Sequence, residues 1–193
     1  TVMYKHILAL DPSGNFHEGK GTTGWVIMNY KEKLIARGYI SAKNYSCPEE
    51  YWDAHIKLIE QNHKKYGDTL IVVMEEYVLY RDKSTNQTNS KMETCRLIGV
   101  LQHTCWKLQQ PYSMQLAASV KQRWSDDLLF REHIIYRDRR NIIHTDSGIS
   151  LGLIHTRDAF RHAMNYIVCR TNNSKPAYKP HTKGAYNNVR SNY

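Results

Sequence analysis

His6-Ile7-Leu8-Ala9-Leu10-Asp11 is four consecutive aliphatic residues ending on a carboxylate, and Pro12-Ser13-Gly14 closes the run. An unbroken apolar stretch of this length bounded by turn residues reads as a buried strand. Thr23 to Asn29 (TGWVIMN) reads as a second strand, after an insert rich in Gly, Lys and His. Leu34 to Ile40 supplies a third, giving an antiparallel meander. Leu70-Ile71-Val72-Val73-Met74-Glu75-Glu76 then repeats the opening pattern, a continuous apolar run that ends on two acids. Such a run is expected in the middle of a sheet covered on both faces.

Helices fill the intervals. One is expected to start at Ser46-Cys47-Pro48-Glu49-Glu50, with Ser46 as cap and Pro48 in the first turn, and to end at Gly67. Ser90-Lys91-Met92-Glu93 is a capping box for a second, whose apolar stripe is read as Met92, Cys95, Ile98, Gln102, Cys105 and Leu108. Pro111 breaks it, and Tyr112 to Leu116 is a short strand. Ser119 to Arg131 is mostly helical, Glu132 to Ser150 is read as a polar loop, and Thr156 to Arg170 is the last helix, with Ala159, Ala163 and Ile167 inward. This order predicts an α/β fold with a mixed five-stranded sheet flanked by helices, antiparallel on the hairpin side and parallel beyond it. Residues 1–170 form one domain, and residues 171–193 a basic, poorly packed tail.

The 193 residues are 41% hydrophobic and 23% charged, with net charge +9 and a pI near 9.3. That is one globular domain with a proper core. No apolar stretch is long enough to span a membrane, and the N-terminus lacks the apolar core of a signal peptide. A cytoplasmic location is therefore expected, with the four cysteines as reduced thiols, since their spacing fits no zinc site. The basic balance favours nucleic acid as partner.

Carboxylates at strand ends are costly to crowd together unless a cation neutralises them. Asp11 and Glu75 close two strands that would be neighbours. Asp158 lies in His155-Thr156-Arg157-Asp158-Ala159, at the opening of the last helix, with His155 on the same face. Alternation along the strand sends only one of Glu75 and Glu76 inward. Oxygen ligands of this kind suit Mg²⁺ or Mn²⁺. Two such ions, about 3.5–4 Å apart, would clamp a phosphate. Each piece has a plainer reading: a turn at Asp11-Pro12, solvated acids at the end of the strand, and pairing of Asp158 with Arg157 or Arg161. His162 falls on the stripe of His155 and Asp158 but is read as a half-buried helix residue, not a ligand.

Ile7 to Ser13 followed by Thr23-Gly24-Trp25-Val26-Ile27 resembles the first hairpin of the RuvC group of Holliday-junction resolvases, within the RNase H-like superfamily. The bacteriophage versions are the most similar. Val73 to Tyr77 resembles the group's second acidic strand. Ala117 to Gln122 resembles the segment with a basic residue at the reacting phosphate, and His155 to Ala163 resembles its closing helix. The likeness runs from about residue 5 to 170. It departs in the order Ser13-Gly14, in the lengthened insert Asn15–Thr22, and from Leu128 to Ser150.

The resemblance implies Asp11, Glu75, His155 and Asp158 as ligands of two Mg²⁺ ions per active site, with Mn²⁺ able to substitute, and Lys121 stabilising charge on the phosphate. It implies a homodimer that nicks four-way junctions and other branched DNA, leaving a 5′-phosphate and a 3′-hydroxyl, in the cytoplasm of a bacterial host if phage-encoded. The tail, with Lys175, Lys179, Lys183 and Arg190 among three tyrosines and no acid, is either a solvated appendage or a clamp on DNA arms. Two rivals share the fold: another nuclease, acting on RNA–DNA hybrids or in packaging, and a non-catalytic junction-binding protein. An actin-like ATPase ranks last, because the chain is too short for two lobes.

Overall fold

In a computed structural model the described residues are 4–78 and 91–171. Strands β1 (His6–Asp11), β2 (Thr22–Asn29), β3 (Leu34–Ser41), β4 (Leu70–Glu76) and β5 (Tyr112–Leu116) form one sheet in the order β3-β2-β1-β4-β5. β1 pairs antiparallel with β2 and parallel with β4, and β4 pairs parallel with β5. This is the predicted mixed sheet.

β1 and β4 are central, so both faces of each strand are buried. Ile7, Ala9, Ile71 and Val73 enter one core, while Leu8, Leu10, Val72 and Met74 enter the other. The second core is covered by α1 (Pro48–Tyr66) and α2 (Glu93–Leu108). The first is covered by α3 (Ala117–Arg123), α4 (Asp126–Arg131), a two-stranded hairpin of β6 (Ile135–Arg137) and β7 (Ile143–Thr145), and α5 (Ile154–Thr171). The result is three layers, helix–sheet–helix. Among the described residues no helix is long and apolar enough to cross a membrane.

Four local expectations are corrected. Ser46 is not the α1 cap: Cys47 holds that position without a side-chain bond, and Glu50 reaches back to accept from the Ser46 N–H at 2.9 Å. The inward stripe of α2 is Leu97, Ile98, Leu101, Thr104 and Cys105, which leaves Gln102 half-buried at its edge. The expected stripe shares Ile98 and Cys105 with it and is otherwise rotated about the helix, because α2 turns its Leu97–Leu101–Thr104 side to the core. The segment 132–150 is not a simple loop but carries the β6–β7 hairpin, anchored by buried Ile135 and Ile143. α5 starts at Ile154, two residues earlier than expected. Ser90 of the capping box lies outside the described residues, as does the tail apart from Thr171, which closes α5.

Gly24 fixes where α5 sits. It pairs with Asp11 in the sheet, and a Cβ there would collide with the backbone of His155 and Thr156. Only a residue without a side chain lets the first turn of α5 press onto the strand beside Asp11.

Candidate metal and phosphate site

The parallel register sets Leu10 against Met74, so Asp11 and Glu75 lie side by side, and Glu75 pairs with Gln115 of β5. All three point to the α5 layer from the C-terminal ends of their strands. Glu75 follows Ile71 and Val73 at the two-residue period, whereas Glu76 is exposed and has the parity of the other face.

α5 meets this row with one stripe. His155 Nδ1–H donates to Asp11 Oδ2 at 3.0 Å. Two turns on, His162 Nε2–H donates to Glu75 Oε2 at 2.9 Å, and its Nδ1 lies 3.0 Å from the Gln115 amide oxygen. Asp158 falls between them on the helix, buried, at the helical spacing that aligns residues 155, 158 and 162. Lys121, on α3, reaches Asp158 Oδ2 at 3.2 Å. Arg161 joins the other Asp158 oxygen to Asp126 at the start of α4.

The site thus brings together all five residues singled out in the sequence. The pairing of Asp158 with Arg161, the plainer reading, is also present. Asp158 lies in the second turn of α5, beyond the reach of the helix-terminal dipole, and its charge is held by Arg161 and Lys121 instead. His162 was passed over. It is 1% exposed and ties Glu75 to Gln115, and its position seven residues after His155 was the available signal.

The electrostatics reflect crowding. Burial pushes the Asp11 carboxyl above the ordinary carboxylate range; the His155 bond opposes this, and the charges of Glu75 and Asp158 reinforce it. His155 is raised, first by its bond to Asp11. Partial burial works to lower Lys121, but Asp158 and then Glu75 outweigh it and raise the ammonium. The Asp11–His155 bond thus favours the charged form of each partner: it raises His155, and at Asp11 it works against the larger effect of burial.

The turn after Asp11 is held from below. Ser13 N–H donates to Thr23 Oγ1 at 3.1 Å, and the Tyr51 hydroxyl donates to the Ser13 carbonyl at 2.6 Å. Fully buried His55 closes the network on Thr23 at 2.7 Å, and burial holds its pKa down to about 4. Nothing in the sequence marks Thr23, Tyr51 and His55 as one network, because their contact depends on how α1 crosses the sheet.

Among the described residues no group of three or more His, Cys, Asp or Glu side chains stands as a ready-made metal cluster. The donor chemistry nonetheless fits a hard divalent cation. Asp11 and Glu75 each carry one carboxylate oxygen with no protein partner among the described residues, and the mutual repulsion felt at Asp11 is what a cation relieves. His155 fits less directly, since Nδ1 is already committed to Asp11.

No protein-family model matches this sequence, and no curated protein matches it. Solved structures do. The chain is similar to a T. thermophilus RuvC in complex with a Holliday junction substrate, with TM-score 0.64 and 14% identity over 90% of this chain and 99% of that one. It is also similar to a second T. thermophilus RuvC structure, with TM-score 0.57 and 16% identity over 89% and 99%. The strand order and the match over 90% of the chain agree: the chain adopts the RuvC-type form of the RNase H-like fold.

Proposed function

We propose that this protein is a divalent-metal-dependent endonuclease that nicks four-way junctions and other branched DNA, working as a homodimer with one active site per copy. The observation that carries the reading is the Asp11–Glu75 row facing Asp158 and Lys121 on a chain of net charge +9. A binding-only surface for polyanions gains nothing from buried carboxylates. Asp11, Glu75 and Asp158 would hold two Mg²⁺ or Mn²⁺ ions, with His155 beside Asp11. Bound there, the ions supply Lewis-acid stabilisation of the phosphate and an acidified water.

The chain's own groups do the rest. Lys121 would meet charge that builds on the phosphate with its half-exposed ammonium, which lies beside Asp158. His162 fixes the Glu75 carboxylate, and Gly24 lets α5 carry His155 up to Asp11. The resolvase named in the structural comparison is bound to a Holliday junction, which supports a branched substrate here. One observation favours a non-catalytic junction binder instead: both oxygens of Asp158 are already neutralised by Arg161 and Lys121.

Incubation with a synthetic four-way junction, the matching linear duplex and an RNA–DNA hybrid separates these readings. The expected result is nicking of the junction with Mg²⁺ and none after chelation. Cleavage of the hybrid alone would make this a different RNase H-like nuclease, and tight junction binding without nicks in Mg²⁺ or Mn²⁺ would make it a binding protein.

The two adjacent acids give a sharper check. Glu75→Gln is expected to lower junction cleavage by about a hundredfold or more, while Glu76→Gln stays within a few-fold of the unmodified protein. Single-turnover rates decide it, and the opposite order would place the wrong carboxylate in the site.

A further inference from the structure

In the α5 layer, the β6–β7 hairpin carries a turn of composition Asp138-Arg139-Arg140-Asn141-Ile142, preceded by Arg137. Its one acid is turned inward. Asp138 Oδ1 accepts from the backbone N–H of Arg140 at 2.8 Å and of Ile142 at 2.9 Å. The other oxygen accepts from His144 Nε2 at 3.0 Å. These backbone bonds hold the Asp138 carboxyl below the usual carboxylate range. Asp138 is thus consumed in shaping the turn.

The arginines are left to solvent. Arg137 is braced by Asn141, donating to its side-chain oxygen at 3.1 Å, and lies over the Phe130 ring at 5.1 Å. Arg139 and Arg140 are exposed at the tip, Arg140 with only a loose 3.7 Å approach to Asp138. Beneath them Tyr136 stacks on His144, and Ile135 and Ile143 root the hairpin in the core that also packs α5. A turn that spends its single carboxylate on internal bonds and projects arginines outward has the chemistry to meet phosphate oxygens.

We propose that this hairpin grips the phosphate backbone of a DNA arm, with Arg139 and Arg140 making the contacts. The inference rests on the DNA-binding half of the function proposed above, and not on cleavage. Phosphate contact is blind to sequence and to branching, so the hairpin acts on junction arms and on plain duplex alike.

The test measures binding of a labelled four-way junction and of a linear duplex in EDTA, over a salt series. Arg139→Ala/Arg140→Ala is expected to weaken both by roughly tenfold and to reduce the salt slope by about two. Arg139→Lys/Arg140→Lys should restore most of the slope, because a point charge still releases counterions. Lys64→Ala/Lys107→Ala is the control: it removes the same charge from exposed positions at the C-terminal ends of α1 and α2, in the opposite layer, and should change affinity less than about twofold. Unchanged binding of the hairpin variant, or an equal loss in the control, overturns the grip. If the unmodified protein binds neither DNA, the grip and the nuclease reading fall together. If it binds both, loses affinity with the hairpin variant and never nicks a junction, the grip stands and only the nuclease reading falls.

Discussion

Asp11→Asn is expected to abolish junction cleavage, a loss of about a thousandfold or more, while junction binding persists or tightens slightly. Asp11 stands beside Glu75 in the acidic row, and its carboxyl is already raised by burial and by the nearby charges of Glu75 and Asp158. The asparagine has the same shape and keeps an oxygen toward His155, so the fold is preserved. It cannot carry the negative charge that draws in a divalent ion, and it removes one charge that repels phosphates. A second readout is independent of catalysis. His155 is raised first by its bond to Asp11, so its titration should move to lower pH in the variant. Cleavage at the unmodified rate would refute the metal-site reading, whereas an unmoved His155 would refute the contact itself.

Arg161→Met is expected to cost about 3–5 kcal/mol of folding stability, a large share of the roughly 5–15 kcal/mol that holds a domain together. Arg161 is 9% exposed at its side chain and Asp158 is 8% exposed, and the same guanidinium also holds Asp126. Removing it leaves the Asp158 carboxylate buried with only half-exposed Lys121 for a partner. The loss should shrink when Asp158→Asn is added, because the stranded charge is then gone. Urea unfolding of the four proteins in this cycle gives the answer. Additive losses, with no recovery in the double variant, would mean that the pair carries no coupling.

Much of this was legible in the sequence because it depended on short-range rules. The apolar run ending on Asp11 and the one ending on Glu75 identify central strands through burial alone; alternation says that only one of Glu75 and Glu76 points inward, and the choice of Glu75 comes from the family resemblance. Asp158 and His155 share a helix face by spacing. What was hidden is what depends on the third dimension. His162 gains its role only when the β4–β5 register puts Gln115 beside Glu75, and no spacing rule supplies that register. Arg161 could pair with Asp158 by spacing, but its bond to Asp126 requires α4 to fold back on α5. The β6–β7 hairpin was missed because its strands are three residues each, too short for a period to register, and because its arginines read as ordinary loop polarity.

The docking of α5 on Gly24 has a consequence for the order of events during synthesis. Asp11 and His155 touch across 144 positions, so β1 waits for α5. Until α5 docks, Ile7, Ala9, Ile71 and Val73 are covered only in part, by α3, α4 and the β6–β7 hairpin, and the Asp11 carboxylate lacks its His155 partner. Contacts of such long range form late and slow folding. That face therefore stays open to aggregation until the segment that forms α5 has been made. The same delay keeps the Asp11–His155 contact, and the site proposed around it, unassembled until the segment that forms α5 exists.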